Sequence, residues 1–182
     1  VIFGLLALVS ESVVYRAKIR GYVLEQKLHI MSETDQLTGL NNRNCYEWKI
    51  AGYPSIYSSS ICCIYIDVNG LHELNNTKGH KAGDEMLQYI AEVVQNQFGY
   101  KDTYRIGGDE YVAFVLDTPE EMIVEKIREM TEQIQECGYH AAIGYEYFGS
   151  KDVDMNKLIV KAESKMYKDK SDYYKQHDRR SR

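Results

Sequence analysis

The sequence predicts an α+β domain in which strands and helices alternate around one hairpin. Three observations carry this: a continuous apolar run at Ile61–Ile66, a glycine pair at Gly107-Gly108 between two further apolar runs, and helical apolar spacing in the segments between. The run Ile61-Cys62-Cys63-Ile64-Tyr65-Ile66 shows no polar alternation, which marks a strand buried on both faces, and Asp67 stands where the run ends. A loop and short helix follow over 69–78, and the glycines at 79 and 83 predict a second turn. Met86, Leu87, Ile90, Ala91 and Val94 repeat at helical spacing and predict a helix over 84–97. Residues 103–106 and 111–116 predict two short strands joined by a hairpin, because adjacent glycines between apolar runs tolerate positive φ. Pro119 opens a helix with Ile123, Ile127, Met130 and Ile134 on one face, and Gly138 stops it. A strand over 140–148 and a last helix lined by Leu158, Ala162 and Met166, running toward Tyr174, complete the chain. The order contains βαββαβ, that of ferredoxin-like folds, here with a mixed central sheet flanked by helices.

Upstream, Ser32-Glu33-Thr34-Asp35 breaks a helical stretch, and a structured loop over 35–43 and a helix over about 42–51 follow. The predicted boundaries are a helical stalk over 1–33, one domain over 34–176 and a polar tail over 177–182. Roughly 150 residues suit a single core. Within the stalk, Val14, Ala17, Gly21, Leu24, Leu28 and Met31 form a heptad-like stripe, which predicts a short parallel coiled coil pairing two copies; a lone helix docked on its own domain is the alternative. The chain does not begin with Met. Val1–Val9 is apolar, shorter than the roughly 20 residues of a span, and is followed by Arg16, Lys18 and Arg20. The expectation is the end of a transmembrane helix with its basic flank on the cytoplasmic side, which would attach the domain to the inner face of the membrane. An amphipathic helix packed on a partner is the other reading.

The net charge of −5 argues against a nucleic-acid polymer as partner. It leaves a nucleotide substrate open, since metal ions and backbone amides can meet phosphates. The four cysteines, Cys45, Cys62, Cys63 and Cys137, show no CxxC spacing, so buried thiols in a reducing setting are expected in place of zinc or disulfides.

The candidate chemistry lies in three carboxylates. Asp67 ends the buried strand, and Asp109 and Glu110 follow the glycine pair. In a ferredoxin-like sheet these segments are neighbours, so Asp67 can face Asp109. Clustered carboxylates repel unless a cation sits between them. Mg2+ or Mn2+ suits oxygen ligands and bridges to phosphates, and a pair of such ions about 3.5–4 Å apart can activate a hydroxyl and stabilise a leaving pyrophosphate. Two glycines let the backbone come close to a triphosphate. From spacing alone, a solvated hairpin tip and a strand-end cap remain open readings.

Six segments in order decide among them. Asp35-Gln36-Leu37-Thr38-Gly39-Leu40-Asn41-Asn42-Arg43 resembles DxLTGLxNR; Asp67-Val68-Asn69-Gly70-Leu71-His72 stands where DxDxFK is common; residues 75–84, Asn75 to Asp84, resemble NDxxGHxxGD. Arg105-Ile106-Gly107-Gly108-Asp109-Glu110-Tyr111 resembles RxGGDEF, Ala142-Ile143-Gly144 a later SIG strand, and residues 162–170 the pattern ADxxMYxAK. Together they resemble the GGDEF family, the diguanylate cyclases, along nearly all of 33–174, with a nucleotidyl-cyclase or palm-like core. The resemblance implies two GTP joined into cyclic di-GMP with release of pyrophosphate, by two domains meeting face to face. It implies Asp67 and Asp109 as metal ligands with the Val68 carbonyl nearby, and Asp109 and Glu110 as catalytic groups. Asn75 and Asp84 would read the guanine edge, Leu71 and His72 would line the substrate, Gly107 and Gly108 would lie against the phosphates, and Lys170 would neutralise the triphosphate. His80 orders the turn before Asp84 and is not read as a ligand.

Four positions depart from the pattern. Tyr111 replaces Phe and keeps the ring, and Asn69 replaces the second Asp. His72 stands where a phosphate-contacting Lys is common, and Tyr174 where a phosphate-binding Arg is common, which removes a bidentate partner. These two weaken triphosphate binding and keep a GTP-binding regulatory module without turnover as the alternative function; a dimerisation platform built on the stalk is a third. The family's inhibitory product site, RxxD, falls on Phe98 and Lys101, so no product inhibition is expected there.

Overall fold

The structure, a computed structural model, describes residues 15–16, 18–22 and 33–178. The stretch Val1–Val9 and every stripe position except Gly21 lie outside these, as do tail residues 179–182. The described stalk residues are helical. Among the described residues no helix is long and apolar enough to cross a membrane.

The domain begins with helix α1, Arg43–Ile50, capped by Asn42, whose side chain accepts the Cys45 N–H. A short 3-10 turn, Tyr53–Ser55, leads to strand β1, Ile61–Asn69. Then come α2, Leu71–Lys78; α3, His80–Phe98; β2, Thr103–Arg105; β3, Glu110–Leu116; α4, Glu120–Glu136; β4, His140–Phe148; and α5, Met155–Asp178. The last helix runs two residues past the predicted domain end at 176 and takes in the start of the predicted tail.

The sheet order is β2-β3-β1-β4, the expected ferredoxin-like arrangement. Every neighbouring pair is antiparallel. The sheet was expected to be mixed, and its parallel relations lie between strands that are not hydrogen-bonded to each other. Each crossover returns its strand parallel to the first, but one position away, so β3 separates β1 from β2 and β1 separates β3 from β4.

All nine residues of β1 are buried, as its unbroken apolar run predicts. Side chains alternate between two cores. Cys62, Ile64, Ile66 and Val68 join Leu87, Ile90 and Val94 of α3 and Ile123, Met130 and Ile134 of α4. Ile61, Cys63 and Tyr65 join the aromatic cluster of Tyr53, Tyr104 and Phe114 and the apolar stripe Leu158, Ala162 and Met166 of α5. The same alternation puts Asp67 on the α5 face. There α5 lies directly on β4: a Cβ built on Gly144 would stand 2.1 Å from the Ala162 carbonyl oxygen.

The turn expected over 79–83 is shorter than predicted. Gly79 alone makes it, at φ 85, and His80 already opens α3. Gly83 is buried inside that helix, where a Cβ would fall 2.0 Å from Asn75 Oδ1 and 3.1 Å from Leu71 Cδ1. The glycine is there because α2 and α3 touch at that point.

Candidate active site

The acidic residues meet at one end of the sheet. β1 continues two residues beyond Asp67, and its register sets Asp67 opposite Glu110. The Val68 N–H donates to the Asp109 carbonyl at 3.0 Å, which holds the glycine turn against the strand. Asp67 is only 3% exposed. Burial, together with the charge of Asp109, pushes its carboxyl above the ordinary value despite Lys170 beside it. Glu110 is also pushed up, by burial and by the charges of Asp67 and Asp109, while the Tyr65 hydroxyl, 3.5 Å from its Oε1, works in the other direction.

The glycine pair does not do what a hairpin signal suggests. Neither Gly107 nor Gly108 adopts a left-handed φ. Gly107 makes room for its neighbour: a Cβ there would stand 2.5 Å from Glu110 Oε2. Gly108 is exposed, and apart from its chain neighbours no residue comes within 4 Å of its would-be Cβ, so its backbone offers an open approach to a ligand.

Arg105 fixes this turn. Its Nη2 donates to the Gly108 carbonyl at 2.7 Å and its Nη1 to Asp35 Oδ1 at 2.9 Å. Asp35 also accepts from the Thr38 N–H and hydroxyl. Burial raises the Asp35 carboxyl, but these bonds outweigh it and hold the group below 3.8. Asn41 completes the brace, with its Nδ2 donating to the Tyr100 and Thr103 carbonyls and its own carbonyl accepting the Arg105 N–H. The loop at 35–43 is thus a structural clamp on β2 and the glycine turn. Spacing could not reveal this, because each partner lies some 60 residues or more along the chain.

The proposed base readers sit on the α2–α3 pair. Asn75 Oδ1 is buried without a hydrogen-bond partner and packs over Gly83, and Asp84 follows, exposed, one residue on. A buried unpaired acceptor on one helix, with an exposed carboxylate one residue past its contact glycine on the next, is suited to a ligand that brings N–H donors. Leu71 begins α2 and packs on the same glycine. His72 is exposed, with its Nδ1 3.1 Å from Asn76 Nδ2. His80 is exposed at the start of α3.

From the other side comes α5. The Lys170 ammonium stands 2.6 Å from Asp67 Oδ1 and 2.8 Å from Oδ2. One turn on, the Tyr174 hydroxyl accepts the Gly70 N–H at 3.4 Å, and Asp169 accepts the Ile143 N–H at 2.9 Å. Tyr173 and Tyr174 make an edge-on pair, and Tyr173 packs on His140. The structure therefore gathers Asp67, Asp109, Glu110, the glycine turn and Lys170 in one place. Asn75 and Leu71 meet at Gly83, while Asp84 and His72 lie exposed on the same two helices. Arg105, Asp35, Asn41 and Tyr65 are members that motif spacing had not singled out for a role.

Among the described residues no three or more His, Cys, Asp or Glu side chains are arranged to hold a metal ion by themselves. The carboxylates of Asp67 on β1 and Asp109 in the turn before β3 still fit Mg2+ or Mn2+, which keep water and take phosphate oxygens as further ligands. Asp67 Oδ1 meets no hydrogen-bond donor of good angle, and the positive charge beside it is the Lys170 ammonium at 2.6 Å, so this buried oxygen is already a place for a cation.

A family model described as "Diguanylate cyclase, GGDEF domain" matches residues 32–176. Among curated proteins, the Cyclic di-GMP phosphodiesterase PdeB of Shewanella oneidensis is 26% identical over 166 residues, covering 86% of this chain and 19% of that protein. Diguanylate cyclase DgcS of the same organism is 31% identical over 94 residues, covering 50% of this chain and 32% of its own length. The chain thus spans between about a fifth and a third of these relatives. Among solved structures, the coiled coil and GGDEF domain of DgcB from Caulobacter crescentus, in complex with c-di-GMP, matches with a TM-score of 0.78 at 17% identity, over 92% of this chain and 94% of that one. The FimX GGDEF domain from Pseudomonas aeruginosa matches with a TM-score of 0.67 at 19% identity, over 75% of this chain and 93% of its own. These two likenesses are likenesses of fold.

Proposed function

The chain belongs to the GGDEF domain family, and from that premise we propose that it is a diguanylate cyclase, joining two GTP into cyclic di-GMP. The observation that carries the reading is the buried Asp67 carboxylate in register with Glu110, beside Asp109 and an unobstructed glycine turn. Each 3′ hydroxyl oxygen attacks the α-phosphorus of the other GTP, the bond to the β-phosphate oxygen breaks, and one pyrophosphate leaves per bond formed. Asp67, Asp109 and the Val68 carbonyl would hold Mg2+ or Mn2+, which when bound supplies positive charge to the triphosphate. Glu110, whose carboxyl is already pushed upward, stands as acceptor for the hydroxyl proton. Asn75 Oδ1 and the Asp84 carboxylate accept from the guanine N1–H and N2–H2, a donor set that adenine lacks, so the wrong base would leave an acceptor unpaired at a cost of about 1–3 kcal/mol. Gly108 admits the phosphates, and Lys170 pairs with them.

Since each domain holds one GTP, two copies must meet, and the stalk is the proposed means of pairing. A membrane anchor upstream is part of the same proposal. Phe98 packs toward the core at the end of α3 and cannot act as an anion-binding guanidinium there, which supports an enzyme without product inhibition through that position.

A second reading, a GTP-binding regulatory domain without turnover, is favoured by Tyr174, which holds the Gly70 N–H where a phosphate-binding Arg would be useful. One assay separates the two: GTP and Mg2+ are added to the dimeric protein, and products are identified by chromatography. Cyclic di-GMP and pyrophosphate are expected. Asp109→Ala should lower the rate by about 10²–10³-fold, the effect of removing one preorganised electrostatic partner. Calorimetric GTP binding with no pyrophosphate from a folded dimer would establish the second reading in its place.

A further inference from the structure

The shortest charged contact of the site joins two of its own members. One ammonium, that of Lys170, straddles both Asp67 oxygens at 2.6 and 2.8 Å. The side chains are 28% and 5% exposed, so the pair is largely shielded from water. Tyr174, on the same face of α5, holds the Gly70 N–H at the far end of the same segment. The helix thereby grips residues 67–70 at both ends.

We propose that Lys170 is a specificity-determining residue that closes the Asp67 carboxylate to a free divalent cation and opens it to a cation arriving with a triphosphate. The inference rests on the cyclase reading of the site. A free cation reaching Asp67 must displace the ammonium from its shortest contact and compete with it for the charge of Asp109 as well, leaving a largely shielded ammonium short of anions, which is costly. A cation bound to a triphosphate brings several phosphate oxygens, to which the ammonium can transfer. Cation and nucleotide then bind with positive coupling, and the coupling is stored in one side chain.

The test uses the whole chain and Mn2+ binding followed by electron paramagnetic resonance. Wild type, Lys170→Met, Lys170→Gln and Asp67→Asn are compared with and without a GTP analogue bridged by methylene between its α and β phosphates. Without nucleotide, the two neutral Lys170 variants should bind Mn2+ about tenfold more tightly than wild type, within the range of ordinary site-to-site coupling. With the analogue, wild type should gain more affinity than either variant. If both neutral variants bind free Mn2+ no more tightly than wild type, the inference is overturned while the cyclase reading stands. If Asp67→Asn leaves Mn2+ binding intact, the metal site itself is misassigned and both fail. Two neutral replacements guard against one that does not fold.

Discussion

Arg105 links two segments that sequence alone leaves unrelated: it binds Asp35 with one terminal nitrogen and the Gly108 carbonyl with the other. The side chains of this pair are 11% and 24% exposed, so the contact is screened only in part. Because the folded Asp35 carboxyl lies below its ordinary 3.8, its contribution to stability is complete above that value and is lost as pH falls through the folded one. Asp35→Asn should therefore cost about 1–2 kcal/mol near neutrality, and the gap from wild type should close in acid. Urea unfolding across a pH series would read both; a gap independent of pH would reject this role. Asp67, Asp109 and Glu110 were legible in the sequence because an acid at the end of an apolar run, and two after a glycine pair, are locally conspicuous. Arg105, Asn41 and Tyr65 were not, since their roles exist only once distant segments are brought together.

At the scale of elements, most boundaries followed from periodicity, and β4 spans the residues 140–148 predicted for it. The glycines were harder to read. A glycine signals freedom of the backbone, but it equally signals contact between elements, and sequence does not separate the two. Gly83, expected in a turn, is a contact glycine between α2 and α3, and Gly107 makes room for a side chain. Gly144 is the most demanding case, since a methyl group would meet the Ala162 carbonyl and the Met166 amide of α5, both backbone. Gly144→Ala should push α5 off β4 and cost about 1–3 kcal/mol, as overpacking does. Because α5 carries Lys170 and Tyr174, GTP affinity should fall along with the unfolding midpoint. A midpoint unchanged in thermal unfolding would show that the helix shifts without loss.

Across the whole molecule, the order of strands and helices was enough to give the fold, because only a few arrangements satisfy right-handed crossovers between neighbours. The antiparallel pairing of β2 with β3 was legible as a hairpin; that of β1 with both its neighbours was not, since it depends on which strand inserts between which. The layout has one further effect. Asp67 is carried by β1, all nine residues of which are buried and which pairs with β3 from Ile61 to Asp67 and with β4 from Ile61 to Asn69, whereas β2 is three residues long and lies at an edge. In hydrogen–deuterium exchange, amides from Cys62 to Asp67 should open only when the entire domain unfolds, and those of β2 by local fraying. Exchange at Asp67 as fast as at β2 would contradict this. The carboxylate at the heart of the site therefore keeps its place for as long as the domain stays folded, and heat should remove it all at once.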